Sequence, residues 1–219
     1  DFNKLLGDPN QPFFNRAISG AYASGSTIKP FMAAAALNEN IVSPDYQVDD
    51  TLGYITIPNQ YNPDISYIYH DWKAHGFVDM RQAIAVSANV YFYVIGGGYK
   101  NIKGLGIDRI GKYFKLFGFG SPLGIDLLGA TGGLVPSPEW KKSVKKESWF
   151  TGDTYNVSIG QGDVLITPLQ LAAAISAIAN DGILYKPKVV SKITDTGGNT
   201  IEEFKPEIIR SVNIDKEKL

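Results

Sequence analysis

From Ile28 to Leu37 the sequence carries one polar side chain, Lys29, among Pro30, Phe31, Met32, Leu37 and the alanines 33–36. Ala and Leu propagate helix, and a helix that is apolar all round has no face to offer water. The run therefore predicts a buried helix of about three turns, with Asn38 and Asn40 as stop residues. The rest of the chain has to wrap it. Gly25-Ser26-Thr27 stand at its mouth, so Ser26 and Lys29 form a Ser-x-x-Lys pair. Residues three apart are neighbours on a helix surface, and burial favours the neutral amine. The expected layout puts the Lys29 amine beside the Ser26 hydroxyl, ready to take its proton. Free N–H groups of the first turn would face a developing oxyanion.

The pattern alone is weak, because Ser143-Val144-Lys145-Lys146 repeats it. That copy lies in the charged run 141–147, where nothing is expected to desolvate the lysine, and it reads as a solvated face. Other short patterns also fail in context. Gly106 to Tyr113 falls one residue short of a phosphate-binding loop, puts Tyr113 where a hydroxyl residue should follow Lys112, and sits inside a helical periodicity. Asp195-Thr196-Gly197 resembles an aspartic-protease triplet, but it runs into the turn Gly198-Asn199 and has no second copy to form a carboxylate pair. His70 and His75 are the only histidines, too few for a metal site at ligand spacing, and are expected to be loop residues with polar neighbours.

Length and composition fit one domain with a real core. The 219 residues are 44% apolar and 20% charged, which excludes a disordered chain. A net charge of −1, with basic residues gathered only around 141–146, argues against nucleic acid. Cysteine is absent, which removes disulfides, a thiol nucleophile and Cys-based zinc sites. The longest apolar stretch, Leu169 to Ala179, is too short for a membrane span. With no signal peptide and no initiator Met before Asp1-Phe2-Asn3, the chain is expected to be a piece of a longer polypeptide.

In order, 1–25 predict an irregular approach and Tyr54–Ile57 a strand followed by a long loop to about residue 69. Residues 78–87 predict a helix with Asp79 near its start. Ser87-Ala88-Asn89 interrupts before Val90 to Ile95, and Ser87 and Asn89 could face a cleft together. A polar kink in a core helix is the competing reading, and Ser211-Val212-Asn213 repeats the pattern in the tail. Residues 104–117 predict an amphipathic helix. Thr167, Pro168 and Gln170 predict a capped helix start, with Leu171, Ala172, Ile175, Ile178 and Ala179 as its buried stripe and Gly182 as its end. Residues 188–204 predict a hairpin around Gly197-Gly198-Asn199.

Taken together, several blocks resemble class B penicillin-binding proteins of the cell-elongation type. They are Asn15-Arg16-Ala17, Tyr22, Gly25 to Pro30, His70-Asp71-Trp72-Lys73, Ser87 to Tyr93, Gly133 to Lys141, Gly152 to Asn156, Ser158 to Gly162 and Thr167 to Ala172, in order along the chain. The resemblance implies an α+β fold, the helical lobe of the β-lactamase/transpeptidase-like architecture, with much of the central antiparallel sheet outside this chain. It implies one partial domain: 1–25 as approach, 26–182 as a mainly helical lobe with the motifs, 183–219 as hairpin and tail. It also implies that Ser26 attacks the penultimate D-Ala carbonyl of a peptidoglycan stem peptide, Lys29 is the base, Ser87 relays the proton and Asn89 holds the substrate amide. Half of the oxyanion hole would come from the Ser26 N–H.

β-Lactams would acylate Ser26, no cofactor or metal is implied, and partners would be stem peptides, a membrane glycan polymerase and elongation-complex proteins. The resemblance places the protein at the extracytoplasmic membrane face, held by an N-terminal anchor. The family's third motif, Lys-Thr-Gly, occurs nowhere in the 219 residues, so the chain alone is expected to be inactive. Two other readings share these residues. A serine β-lactamase or β-lactam sensor would be told apart by acyl-enzyme lifetime. A non-catalytic interaction module would be told apart by the absence of Lys-Thr-Gly downstream.

Overall fold

In the computed structural model, which describes residues 1–59, 62 and 64–219, a short helix α1 (Phe2–Leu6) and a series of turns lead to the apolar run. The approach is thus less irregular than expected. Its residues remain mostly exposed. The run begins as a 3-10 turn, Gly25–Ile28, and continues as helix α2 (Lys29–Asn38), with Pro30 in the first turn where its missing N–H costs nothing. Phe31, Met32 and Ala36 are fully buried, as the composition demands.

Two small antiparallel pairs follow: β1 (Val48–Asp50) with β4 (Gly76–Val78), and β2 (Tyr54–Pro58) with β3 (Ser66–His70). Strand β3 replaces the end of the expected long loop; Gln60, Tyr61 and Pro63 of that loop lie outside the described residues. Helix α3 (Met80–Ala85) is capped by Asp79, which exchanges hydrogen bonds with Gln82. The chain breaks at 86–88 and re-enters the core as α4 (Asn89–Gly97), whose Val90, Tyr91, Phe92 and Ile95 are wholly buried.

Helix α5 (Gly106–Leu116) carries the predicted amphipathic face, with Ile110, Tyr113 and Phe114 inward, and no loop interrupts it. Phe31 packs on Phe117 and Phe119 at ring separations of 4.9 and 5.1 Å, joining α2 to the end of that segment. Helices α6 (Pro138–Val144) and α7 (Thr151–Ser158) come next. Glycines 96 and 97 let α7 close on α4, since a Cβ there would overlap Ser158 and Tyr155.

Helix α8 (Pro168–Ala179) starts at the predicted Thr167–Gln170 capping box. Its buried side matches the prediction in part: Leu171 and Ile178 pack on the core, but Gln170, Ala174 and Ala177 are the buried residues, whereas Ile175 is 44% exposed and Ala172 and Ala179 are also exposed. The cause is Gln170, whose amide donates to the carbonyls of Gly118, Ser121 and Gly132 and turns that polar edge into the core. Strands β6 (Lys192–Thr194) and β7 (Thr200–Glu203) form the predicted hairpin. Asp195 accepts from Gly197 N–H and Asn199 N–H there, a turn role. The tail is not loose: β5 (Ile183–Tyr185) pairs with β8 (Ile208–Ser211), and Val212 and Ile214 are buried. Short antiparallel strands around a helical core give an α+β arrangement, as expected.

Candidate active site

Lys29 is the first residue of α2 and only 1% exposed. A buried ammonium has to find acceptors, and this one reaches across to the break between α3 and α4. Its Nζ lies 2.7 Å from the Ser87 carbonyl, 3.0 Å from Ser87 Oγ and 2.7 Å from Asn89 Oδ1. The Phe92 ring centroid lies 5.2 Å from the same nitrogen. Burial lowers the Lys29 pKa to about 8, and the Asp71 carboxylate works in the opposite direction. At pH 7.4 roughly a fifth of such amines are neutral, against about one in a thousand for an ordinary lysine. A neutral amine has two N–H groups and one lone pair. It can donate to the Ser87 carbonyl and Asn89 Oδ1 and accept from the Ser87 hydroxyl, which is the wiring of a proton relay.

Ser26 sits on the 3-10 turn just before Lys29 and is exposed. The expected direct pairing of its hydroxyl with the Lys29 amine is absent: among the described residues, all three hydrogen bonds of Nζ run to Ser87 and Asn89. The four-carbon side chain spans to the α3–α4 break instead of folding back on its own turn. What joins Ser26 to Lys29 directly is backbone, the Lys29 N–H donating to the Ser26 carbonyl. Of the two readings of Ser87-Ala88-Asn89, the structure shows the polar kink. The segment does break a core helix, and its two polar side chains meet the buried lysine. Ser87 has φ 56°, a left-handed conformation that costs a non-glycine residue on the order of 1–3 kcal/mol. The Lys29 amine on its carbonyl helps hold it there.

Two glycines to which the sequence gives no contact hold the Ser26 turn in place. Gly25 N–H donates to the Gly160 carbonyl at 2.8 Å, so the loop 158–162 braces the Ser26 turn. Gly160 has φ 73°, and a Cβ there would overlap the Gly25 carbonyl. Only glycine's lack of a side chain permits that approach, and the glycine-rich composition of the loop was the available signal.

Asp50, at the end of β1, meets Asp71 and His75 from the loop between β3 and β4. His75 Nδ1 lies 2.8 Å from Asp50 Oδ2 and 3.8 Å from Asp71 Oδ2. Their donor atoms fall within 4.8 Å of one another, the one grouping of this kind among the described residues. Burial pushes the Asp50 carboxyl up, while its hydrogen bond to His75 opposes. His75 is thus a buried histidine with a carboxylate partner, whereas His70 ends β3 and is exposed. Two lysines of the basic run near 141–146 are paired: Lys141 with Asp153 at 2.7 Å and Lys145 with Asp163 at 2.6 Å.

Comparison with known proteins places the chain in a family. Over 192 residues the chain is 40% identical to the peptidoglycan D,D-transpeptidase MrdA of Acinetobacter baumannii, covering 87% of this chain and 27% of that protein. A crystal structure of Pseudomonas aeruginosa PBP2 in complex with WCK 5153 superposes with a TM-score of 0.78 at 33% identity, covering 96% of this chain and 43% of that one. A complex between PBP2 and MreC from Helicobacter pylori gives 0.74 at 30% identity, over 85% and 32% respectively. The chain spans less than a third of the length of the curated relatives it matches. The penicillin binding protein transpeptidase domain matches residues 2–219, and the chain belongs to that family.

Proposed function

We propose that this chain is the nucleophile-bearing part of an elongation-type peptidoglycan D,D-transpeptidase. The observation that carries the reading is the buried Lys29 amine, with its pKa lowered to about 8, bonded to Ser87 and Asn89 and following Ser26 by three residues. In the forward step Ser26 Oγ attacks the penultimate D-Ala carbonyl of a stem peptide, and its proton passes to neutral Lys29. Ser87 hands its proton to the departing amine and takes one in turn from the Lys29 ammonium 3.0 Å away, so the peptide C–N bond breaks and D-Ala leaves. Asn89 holds the substrate amide. The amine of a second stem then attacks the ester, returns its proton through the same relay and frees Ser26 with a new cross-link.

In a β-lactam the amide that breaks is part of a ring. The leaving nitrogen therefore stays tethered and the ester persists. The protein would act at the extracytoplasmic face of the cytoplasmic membrane, with stem peptides as substrates and a membrane glycan polymerase and elongation-complex proteins as partners. The 219 residues contain no Lys-Thr-Gly, so on this reading the chain alone is inactive and the activity belongs to the whole protein. Loss of one oxyanion donor by itself costs roughly 10²–10³ in rate. The test is intact-mass analysis of the full-length protein carrying this chain, with and without a penicillin. An adduct on the wild type and none on Ser26→Ala is expected; an adduct on both would remove Ser26 from its role.

A further inference from the structure

The Ser87-Ala88-Asn89 break is held from both sides by two adjacent residues that the mechanism does not use. Asp71 Oδ2 accepts from the Val90 N–H at 2.8 Å, just after Asn89. Trp72 Nε1 donates to the Val86 carbonyl at 3.2 Å, just before Ser87. The geometry points to Asp71-Trp72 as a clamp that positions the relay, gripping the backbone at residues 86 and 90 so that Ser87 and Asn89 meet the Lys29 amine. This rests on the roles proposed for Ser26, Lys29, Ser87 and Asn89.

The break needs such a grip. Ser87 is left-handed, and α4 has no side-chain cap from its own N-cap residue, Ala88. Asp71 supplies that cap from another segment, and a carboxylate at a helix N-terminus also suits the dipole. The clamp is itself anchored. Asp71 N–H donates to the Gly53 carbonyl at 2.8 Å, the Trp72 N–H bonds back to Asp71 Oδ1, and the Tyr93 hydroxyl bonds the His70 carbonyl. His75 stacks edge-on against Trp72 at 5.0 Å and stands between Asp71 and Asp50. Trp72 is 60% exposed, so burial alone does not explain its place.

Asp71 has a second effect. It is the charged group whose field raises the Lys29 pKa against burial. The other groups facing Nζ are the uncharged Ser87, Asn89 and Phe92. Asp71 and Trp72 are therefore positioning residues, and removing the charge should change the pH response as well as the rate.

The experiment measures the second-order rate constant for acylation by a fluorescent penicillin, across pH, in the full-length protein. Asp71→Ala removes grip and charge and should lower the rate constant by about 10²-fold, while Trp72→Phe removes one N–H and should lower it on the order of tenfold. Asp71→Asn keeps an acceptor for Val90 N–H and loses the charge, so its acid limb should move to lower pH. Thermal melts accompany each variant, and Trp72→Phe and Asp71→Asn decide the matter if Asp71→Ala does not fold. Wild-type rates and an unmoved limb in those two variants, over an intact Ser26 adduct, would overturn the clamp alone. Failure of the wild type to be acylated at Ser26 would overturn the active-site reading beneath it.

Discussion

Lys29 and Lys146 hold the same place in the same four-residue pattern, and their surroundings differ throughout. Lys29 opens a core helix, is 1% exposed and gives its amine to three acceptors brought from residues 87 and 89. Lys146 follows the end of α6, is exposed, and bonds back to the carbonyl of Ser143 at 2.7 Å. The Ser143 hydroxyl is likewise spent locally, on the Trp140 carbonyl. Spacing is therefore shared and chemistry is not. Desolvation by α2 and α4 makes this amine neutral enough to act, and the Asp71 carboxylate, working against it, keeps the amine basic enough to use.

The contrast can be broken most decisively at the serines. Ser26→Ala in the full-length protein should abolish penicillin labelling, whereas Ser143→Ala should label as the wild type does; labelling of both variants would erase the distinction. At the lysines, Lys29→Ala should slow acylation by about 10²–10⁴, the range for a lost general base. Lys146→Ala should leave the rate constant unchanged, and stopped-flow labelling reads both. The pH response separates the two lysines further. A base with its pKa at about 8 is protonated below that value, so the acylation rate should fall roughly tenfold per unit as pH drops beneath about 8. A flat profile from pH 6 to 8 would deny Lys29 the role. The smallest effect is on stability. Lys146→Ala should change the unfolding free energy by less than about 0.5 kcal/mol, as exposed sites do, and denaturant melts measure it.

Local chemistry made parts of the fold legible. Thr167, Pro168 and Gln170 act within one turn, so the start of α8 could be read directly. The amphipathic face of α5 and the turn at Gly197-Gly198-Asn199 are similarly self-contained. Legibility fails where the deciding partner is remote. Nothing near Gln170 announces the three carbonyls from 118, 121 and 132 that bury it, so the apolar pattern alone points Ile175 inward. The same limit applies at the site. Ser26, Lys29, Ser87 and Asn89 could be picked out, but the geometry joining the last three depends on how the α3–α4 break packs against α2. The Lys29 amine chose that break over its own turn. Asp71 carried no readable role because its partner, the Val90 N–H, is backbone and leaves no side-chain signature.

The left-handed backbone at residue 87 screens side chains before their chemistry matters. Threonine offers the same hydroxyl, yet a β-branched residue tolerates that conformation poorly. Its extra methyl would turn the oxygen away from Lys29 or unwind the bend. Asparagine and glycine would sit there comfortably and bring no hydroxyl. The position therefore admits few compromises: a residue that suits the bend tends to lack the proton, and the nearest chemical equivalent that keeps the proton does not suit the bend.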